Sequence, residues 1–262
     1  MISVTSAQLT AWIAAFVFPL ARILALIASA PVLGNKQIPI RVKVALAMLI
    51  TFVVAPVIQV PSNVDPASAL GLFILIQQIL VGLAMGFTMR LIFTAVEMAG
   101  DLAGMQMGLG FASFYDPVNA SYTPVLAQFL GILTTLAFLA LNGHLLMLAT
   151  LADSFQSFPI SSALPASAAF RMLAEWGSII FSHALQLSMP LIAALMITNL
   201  ALGVLTRSAP QLNIFAVGFP ITLTVGFATL ALSLAYLAPL LEHAVNEALD
   251  MMQRLASQLG RH

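Results

Sequence analysis

The sequence has 262 residues, of which 61% are hydrophobic and only 7% are charged, with nine basic and nine acidic side chains. Soluble domains carry roughly 25% charged residues, so this composition excludes a soluble globular protein and indicates an integral membrane protein. The neutral balance offers no basic patch for nucleic acid, and a chain without cysteine has no disulfide, thiolate catalysis or cysteine-bound metal.

Long apolar stretches dominate the chain. A helix that spans a bilayer needs about 20 mainly apolar residues, and six stretches approach or exceed that length: 9–33, 44–60, 68–99, 125–151, 179–205 and 214–241. Prolines fall inside or at the edges of several apolar stretches, at positions 19, 31, 190, 220 and 239 among others, so several helices should be kinked. The sequence therefore predicts an all-α integral membrane protein with about six long, partly kinked hydrophobic helices.

The connections between the stretches hold much of the basic charge. The first carries Lys36, Arg41 and Lys43, and the last is the short segment 207–213, which has the form of a helical-hairpin turn. Under the positive-inside rule these basic connections are cytoplasmic and both termini lie outside. Residues 242–262 are richer in charge and predict a polar amphipathic tail.

Four charged residues are candidates for burial at membrane depth: Arg22, Arg90, Glu97 and Asp101. A charge at membrane depth costs a few kcal/mol unless it faces protein or water. On an ideal helix Arg90, Glu97 and Asp101 share one side with several glycines, and Glu97 and Asp101 are a like-charge pair four residues apart. They indicate ion pairs between helices or subunits, with a proton or ion relay and simple hydration of Asp101 as alternatives.

Glycines, methionines and phenylalanines crowd together after the third stretch. Repeated small residues at 82, 86, 100, 104 and 108 favour close helix packing. Further along, methionine adapts to irregular shapes and phenylalanine can close a narrow passage against water. We therefore interpret this segment as a deformable seal, with ordinary packing as the alternative. Its candidate residues are Met105, Met107, Gly108, Gly110, Phe111 and Phe114.

No residue pattern supports catalysis. The four histidines, at positions 144, 183, 243 and 262, are isolated and lack the spacing of metal ligands. Gly108-Leu109-Gly110 lacks the strand, turn and helix that give a nucleotide-binding glycine motif its meaning. We expect a protein that is not an enzyme and that has no cofactor and no metal site.

Three motifs resemble the FliR/SctT family, the single-copy membrane subunit of type III secretion export gates. The first runs from Glu97 through Gly100, Gly104, Gln106 and Gly108 to a Phe-rich loop that ends in Asp116-Pro117. The second is the segment PQLNIFAVGFP at residues 210–220. The third combines Arg22 with Ala30-Pro31, Ile38-Pro39 and Arg41. The surroundings of these motifs are more similar to the flagellar branch of the family.

The resemblance implies an architecture and a location. It implies a FliP-like part at residues 1–177, a FliQ-like helical hairpin at 178–241 and the tail at 242–262. It places the protein in the bacterial inner membrane at the flagellar basal body, in a funnel-shaped assembly that projects to the periplasmic side. Because of that projection, the six apolar stretches need not all span the bilayer.

The resemblance also implies partners and roles for residues. The partners are FliP-like and FliQ-like subunits, an FlhB-type switch protein and an FlhA-type export protein, with unfolded proteins as substrates and membrane lipid around them. The loop at residues 105–117 would plug the channel. The hairpin turn would lie near the FlhB-type protein at the cytoplasmic mouth, and its residues are Arg207, Pro210, Gln211 and Asn213.

The sequence thus predicts a non-enzymatic subunit of the flagellar export gate that helps to form and plug a channel for unfolded proteins. One alternative is an ion-coupled secondary transporter whose coupling ion binds Glu97 and Asp101. Another is a scaffold subunit that does not contact the channel.

Overall fold

A computed structural model describes residues 5–61, 64–111, 124–211 and 213–260. These residues contain two short 3-10 turns, at Ala55–Val57 and Leu109–Phe111, and no β-strand. The prediction of an all-α fold is therefore confirmed. The helices, numbered in chain order, are α1 Ser6–Ser29, α2 Ile40–Val54, α3 Ala69–Gln106, α4 Val125–Ala140, α5 Gly143–Ser157, α6 Ser167–Trp176, α7 Ile179–Ser208 and α8 Ile214–Leu259.

Most of these helices are long and apolar enough to cross a membrane. Among the described residues five segments qualify: Gln8–Ser29, Ile40–Val57, Ala69–Gln106, Ser167–Ser208 and Ala216–Leu259. The bent pair α4 and α5 adds a sixth if it is taken as one interrupted span. The expectation of about six long hydrophobic helices is thus confirmed in number.

The fourth predicted stretch, 125–151, was expected to form one helix, and this expectation is wrong. The helix is interrupted after Ala140, and Asn142 has a φ of 55°, in the left-handed region. Asparagine tolerates that conformation better than most residues. The Asn142-Gly143 pair is a turn signal that the apolar character of its neighbours concealed.

Other helix boundaries also differ from the apolar stretches. α1 ends at Ser29, shortly before Pro31, whereas α3 continues past residue 99 to Gln106. α8 continues through the predicted tail as far as Leu259. One side of this continuation is apolar and buried, with Ala248, Met252, Leu255, Ala256 and Leu259.

The chain forms two compact units. The first contains Met1–Leu91, Asn142–Gly177 and Val245–His262, and the second contains Ile92–Leu141 and Ser178–Ala244. Each unit collects segments that are distant in sequence. The division into FliP-like, FliQ-like and tail segments stays a prediction.

Two glycines of α3 determine how the first unit packs. A Cβ on Gly82 would overlap the carbonyl oxygen of Arg22 in α1. A Cβ on Gly86 would overlap the Ser29 hydroxyl and lie 2.9 Å from the Ala30 nitrogen. Because backbone atoms stand in both positions, α1 can approach α3 this closely only where α3 has no side chain.

In the second unit, two further glycines of α3 differ in their surroundings. A Cβ on Gly100 would lie 2.6 Å from the Cα of Ala127 in α4, so this glycine also allows close approach. A Cβ on Gly104 would meet nothing closer than 3.9 Å. The glycines that share one side in the sequence pattern therefore do not share one role.

Candidate functional site

Arg22 lies in the interior of the first unit and is 0% exposed. Its Nε donates to the side-chain oxygen of Gln78 in α3 (2.8 Å), and its Nη1 donates to the carbonyl and hydroxyl oxygens of Ser154 in α5 (both 3.0 Å). Its Nη2 donates to the Phe158 carbonyl (2.9 Å), and the guanidinium carbon lies 4.2 Å from the centre of the Phe155 ring. One side chain thus joins α1, α3 and the C-terminal end of α5.

The partners of Arg22 are neutral groups and aromatic rings. A buried cation without a carboxylate is tolerated only when its N–H groups find acceptors, and here four hydrogen bonds and a ring face supply them. Arg22 therefore connects helices within the chain through neutral acceptors, and not through the ion pair expected from the sequence.

The other predicted charges lie along α3 and are more accessible. Arg90 and Glu97 are exposed, and Asp101 is half-buried. A pocket of about 430 Å³ in the second unit brings Glu97 and Asp101 together with Thr94 and with Gln128 of α4. The Glu97 side chain lies against α4, since a Cβ on Gly131 would be 3.5 Å from its Oε1. Two carboxylates thus line one pocket that a cationic group could enter.

The predicted seal begins at the end of α3. Met105 is 54% exposed, and Met107 is 0% exposed. Gly108 has a φ of 82°, which suits glycine and turns the chain away from the helix axis. Nothing lies within 4 Å of a Cβ built on Gly110, and Phe111 ends the 3-10 turn. Phe114 lies outside the described residues.

Met107 belongs to a hydrophobic core within the second unit. It packs in one cluster with Ala103, Leu126, Leu191 and Leu195, and its side chain lies directly over Gly226 of α8. Its backbone carbonyl accepts a hydrogen bond from the Thr222 hydroxyl (3.4 Å). Met107 therefore differs from Met105, because the Met107 side chain packs against other residues of this chain whereas the Met105 side chain is exposed.

α7 and α8 share the hydrophobic clusters of the second unit and are joined by a short turn. Arg207, Pro210, Gln211 and Asn213 are all exposed at this turn. Asn213 caps the N-terminus of α8, since its side-chain oxygen accepts a hydrogen bond from the Ala216 N–H (3.4 Å). The turn therefore presents polar and basic groups on the surface.

Sequence reasoning missed Thr222 and Gly226, two residues of α8 that contact Met107. A threonine and a glycine within an apolar stretch give no distinctive signal. It also missed an apolar groove of about 390 Å³ between α7 and α8, lined among others by Gln186, Ser188, Thr229, Ser233 and Tyr236. These polar residues are spread over two distant helices, so only the fold brings them together.

The long apolar helices, the buried arginine network and the exposed charges together define a helical integral membrane protein. A family described as "Bacterial export proteins, family 1" matches residues 13–248. The chain is 45% identical over 260 residues to the flagellar biosynthetic protein FliR of Escherichia coli (strain K12), covering 99% of each protein. It is 47% identical over 261 residues to FliR of Pectobacterium carotovorum, again covering 99% of each, and 27% identical over 249 residues to FliR of Bacillus subtilis, covering 94% of this chain and 96% of that protein.

The chain belongs to the FliR/SctT family of bacterial export proteins. This confirms the resemblance that its three motifs indicated. It is therefore a membrane component of flagellar protein export.

Proposed function

We propose that this chain is a non-enzymatic subunit of the flagellar type III export gate and that its plug segment, residues 105–117, closes the passage for unfolded proteins. One observation carries the proposal: α3 ends at Gln106, and the chain turns at Gly108 away from the helix axis. The methionine- and phenylalanine-rich segment therefore begins where the chain leaves a long apolar helix.

The surface of the chain supports a role in a larger assembly. α2 exposes Leu49, Phe52 and Val53, and α7 exposes Ile197 and Leu200. Large apolar side chains on a membrane helix face lipid or other subunits. FliP-like and FliQ-like subunits would cover part of this surface, and Arg90, Glu97 and Asp101 would pair with charges on them.

The proposal includes further assignments that are typical of the family. Residues 1–177 would be the FliP-like part, 178–241 the FliQ-like hairpin and 242–262 the tail. The exposed turn at residues 207–213 would face the FlhB-type switch protein, with an FlhA-type protein nearby. The assembly would sit in the inner membrane at the flagellar basal body and project to the periplasmic side.

Photo-crosslinking tests whether the plug segment touches the export path. A photoreactive amino acid is placed at position 111 or 114, and an export substrate is stalled in the assembled complex. The matched control is position 232 on α8, where Leu232 is 76% exposed and outside the plug segment. We expect substrate adducts at 111 and 114 and none at 232. Labelling that is equally absent at all three positions would favour the scaffold alternative.

The pocket at Glu97 and Asp101 is compatible with one alternative function. Two carboxylates in one pocket are the arrangement that an ion-coupled secondary transporter would use. That function predicts saturable uptake of a small solute by the purified chain in liposomes, abolished by Glu97→Gln. The export-gate proposal predicts no such uptake from either form.

A further inference from the structure

We infer that the Met107 side chain occupies the space above Gly226 of α8, called the seat here. We infer further that this contact, called the lock, holds the start of the plug segment against α8. The inference rests on the proposed function, since it concerns what holds the plug segment. The lock consists of described residues of the second unit only: Met107 from the end of α3, and Thr222 and Gly226 from α8.

The seat exists because residue 226 has no side chain. A Cβ at this position would lie 2.6 Å from the Cγ, 2.7 Å from the Cε and 2.7 Å from the Sδ of Met107. Three atoms of one side chain therefore occupy the space above one glycine. Any larger residue at 226 must displace the thioether, and the displaced side chain loses the contacts that make it 0% exposed.

A second contact comes from the same side of α8. Thr222 is four residues before Gly226, so the two lie one above the other on the helix. The Thr222 hydroxyl lies 3.4 Å from the Met107 carbonyl and 3.0 Å from the Phe219 carbonyl. α8 therefore contacts both the backbone and the side chain of the same residue.

The lock lies where α3 ends. The Met107 N–H still donates to the Ala103 carbonyl (3.0 Å), as a helical residue does, and Gly108 then turns the chain with its φ of 82°. Methionine is flexible, so its side chain can leave the seat by rotation without unwinding α3. Displacement of α8 at residues 222–226 would release Met107, and through it the segment that follows.

Oxidation of methionine by hydrogen peroxide, read by mass spectrometry on the full-length chain in detergent, tests the lock. The variant is Gly226→Val, and the control is Gly203→Val in α7, where nothing lies within 4 Å of a Cβ. Met105 is the exposed reference and Met89, which is 0% exposed, the buried one. We expect Met107 to oxidise about tenfold faster in Gly226→Val. The added side chain crowds the thioether, so the fraction of molecules with a solvent-accessible Met107 rises by about that factor. Met89 should remain protected, and Gly203→Val should behave as the unmodified chain.

A Met107 that stays as protected as Met89 in Gly226→Val would overturn the lock. If Gly226→Val does not fold, the double variant Met107→Ala/Gly226→Val decides the matter. Removing the thioether frees the space that valine needs, so the double variant should give folded protein where the single variant gives none. Failure to recover any folded protein would contradict the inference.

Met107 oxidation and ion conductance together test the lock and the plug separately. Released Met107 together with raised ion conductance of the assembled complex would support both. Released Met107 with conductance at the closed level would support the lock and contradict the plug.

Discussion

The two ends of α3 place their polar side chains in different surroundings. Towards its N-terminus, up to Leu91, the helix uses Gly82 and Gly86 to admit α1, and Gln78 accepts a hydrogen bond from the buried Arg22. Towards its C-terminus, Glu97 and Asp101 line a pocket, and the chain then leaves the helix. The N-terminal part therefore packs against another helix of this chain, whereas the C-terminal part presents two carboxylates to a cationic group that enters the pocket.

This difference shows how an apolar chain can divide its few charges between stability and association. A charge that the chain satisfies with its own neutral acceptors holds helices together and needs no other molecule. A charge that stays accessible on an apolar helix can also meet protein or water from outside the chain. Burial, and not charge alone, therefore separates Arg22 from Glu97.

The largest effect is expected from removal of the buried arginine. Arg22→Met should lower the free energy of unfolding by about 3 kcal/mol, because the Gln78 side chain and the Phe158 carbonyl lose a buried donor. Arg90→Met, on the exposed surface of α3, should change it by less than about 1 kcal/mol. Thermal unfolding of the two variants in detergent measures the difference. Equal losses would mean that burial does not distinguish these arginines.

An intermediate effect is expected from glycines of the same helix. Gly82→Ala should destabilise the chain by about 2 kcal/mol, because the backbone of α1 blocks the new methyl group and cannot rotate aside. Gly104→Ala should be neutral or stabilise by about 0.5–1 kcal/mol, because alanine favours the helix and the site is open. Comparison of the two unfolding midpoints checks this. If Gly82→Ala is tolerated as well as Gly104→Ala, the close packing of α1 on α3 is wrong.

The smallest effect on the chain itself is expected at the pocket. Glu97→Gln should change the free energy of unfolding by less than about 0.5 kcal/mol, as is usual for an exposed side chain. It should nevertheless reduce the amount of other export subunits that co-purify with the chain. Asp153→Asn, another exposed acidic residue, is the control and should leave co-purification unchanged. If Glu97→Gln co-purifies with as much of the other export subunits as the unmodified chain does, the pocket is not part of the subunit interface.

Composition and apolar length were enough to predict the all-α membrane fold and the approximate number of helices. Boundaries were less predictable, because Asn142 interrupts a stretch whose neighbours are uniformly apolar. The tail was predicted to be amphipathic. That its apolar side is buried depends on residues far away in the sequence.

The motifs identified Arg22 and the segment at 97–117, but not the distant residues that they contact. Ser154 lies 132 residues from Arg22, and Thr222 lies 115 residues from Met107. No local pattern links such positions, since their proximity results from the packing of whole helices. For the same reason, the sequence could not distinguish Met105 from Met107, which are two residues apart and opposite in exposure.

The central claim is that the plug segment closes a passage, and ion conductance tests it most directly. The assembled export complex is placed in a planar bilayer, with the chain either intact or lacking residues 110–114. This deletion leaves Met107 and Gly108 in place, so the core of the second unit is retained. A steady conductance that appears only with the deletion is the predicted result. Conductance that remains at the closed level of the intact complex would contradict the claim.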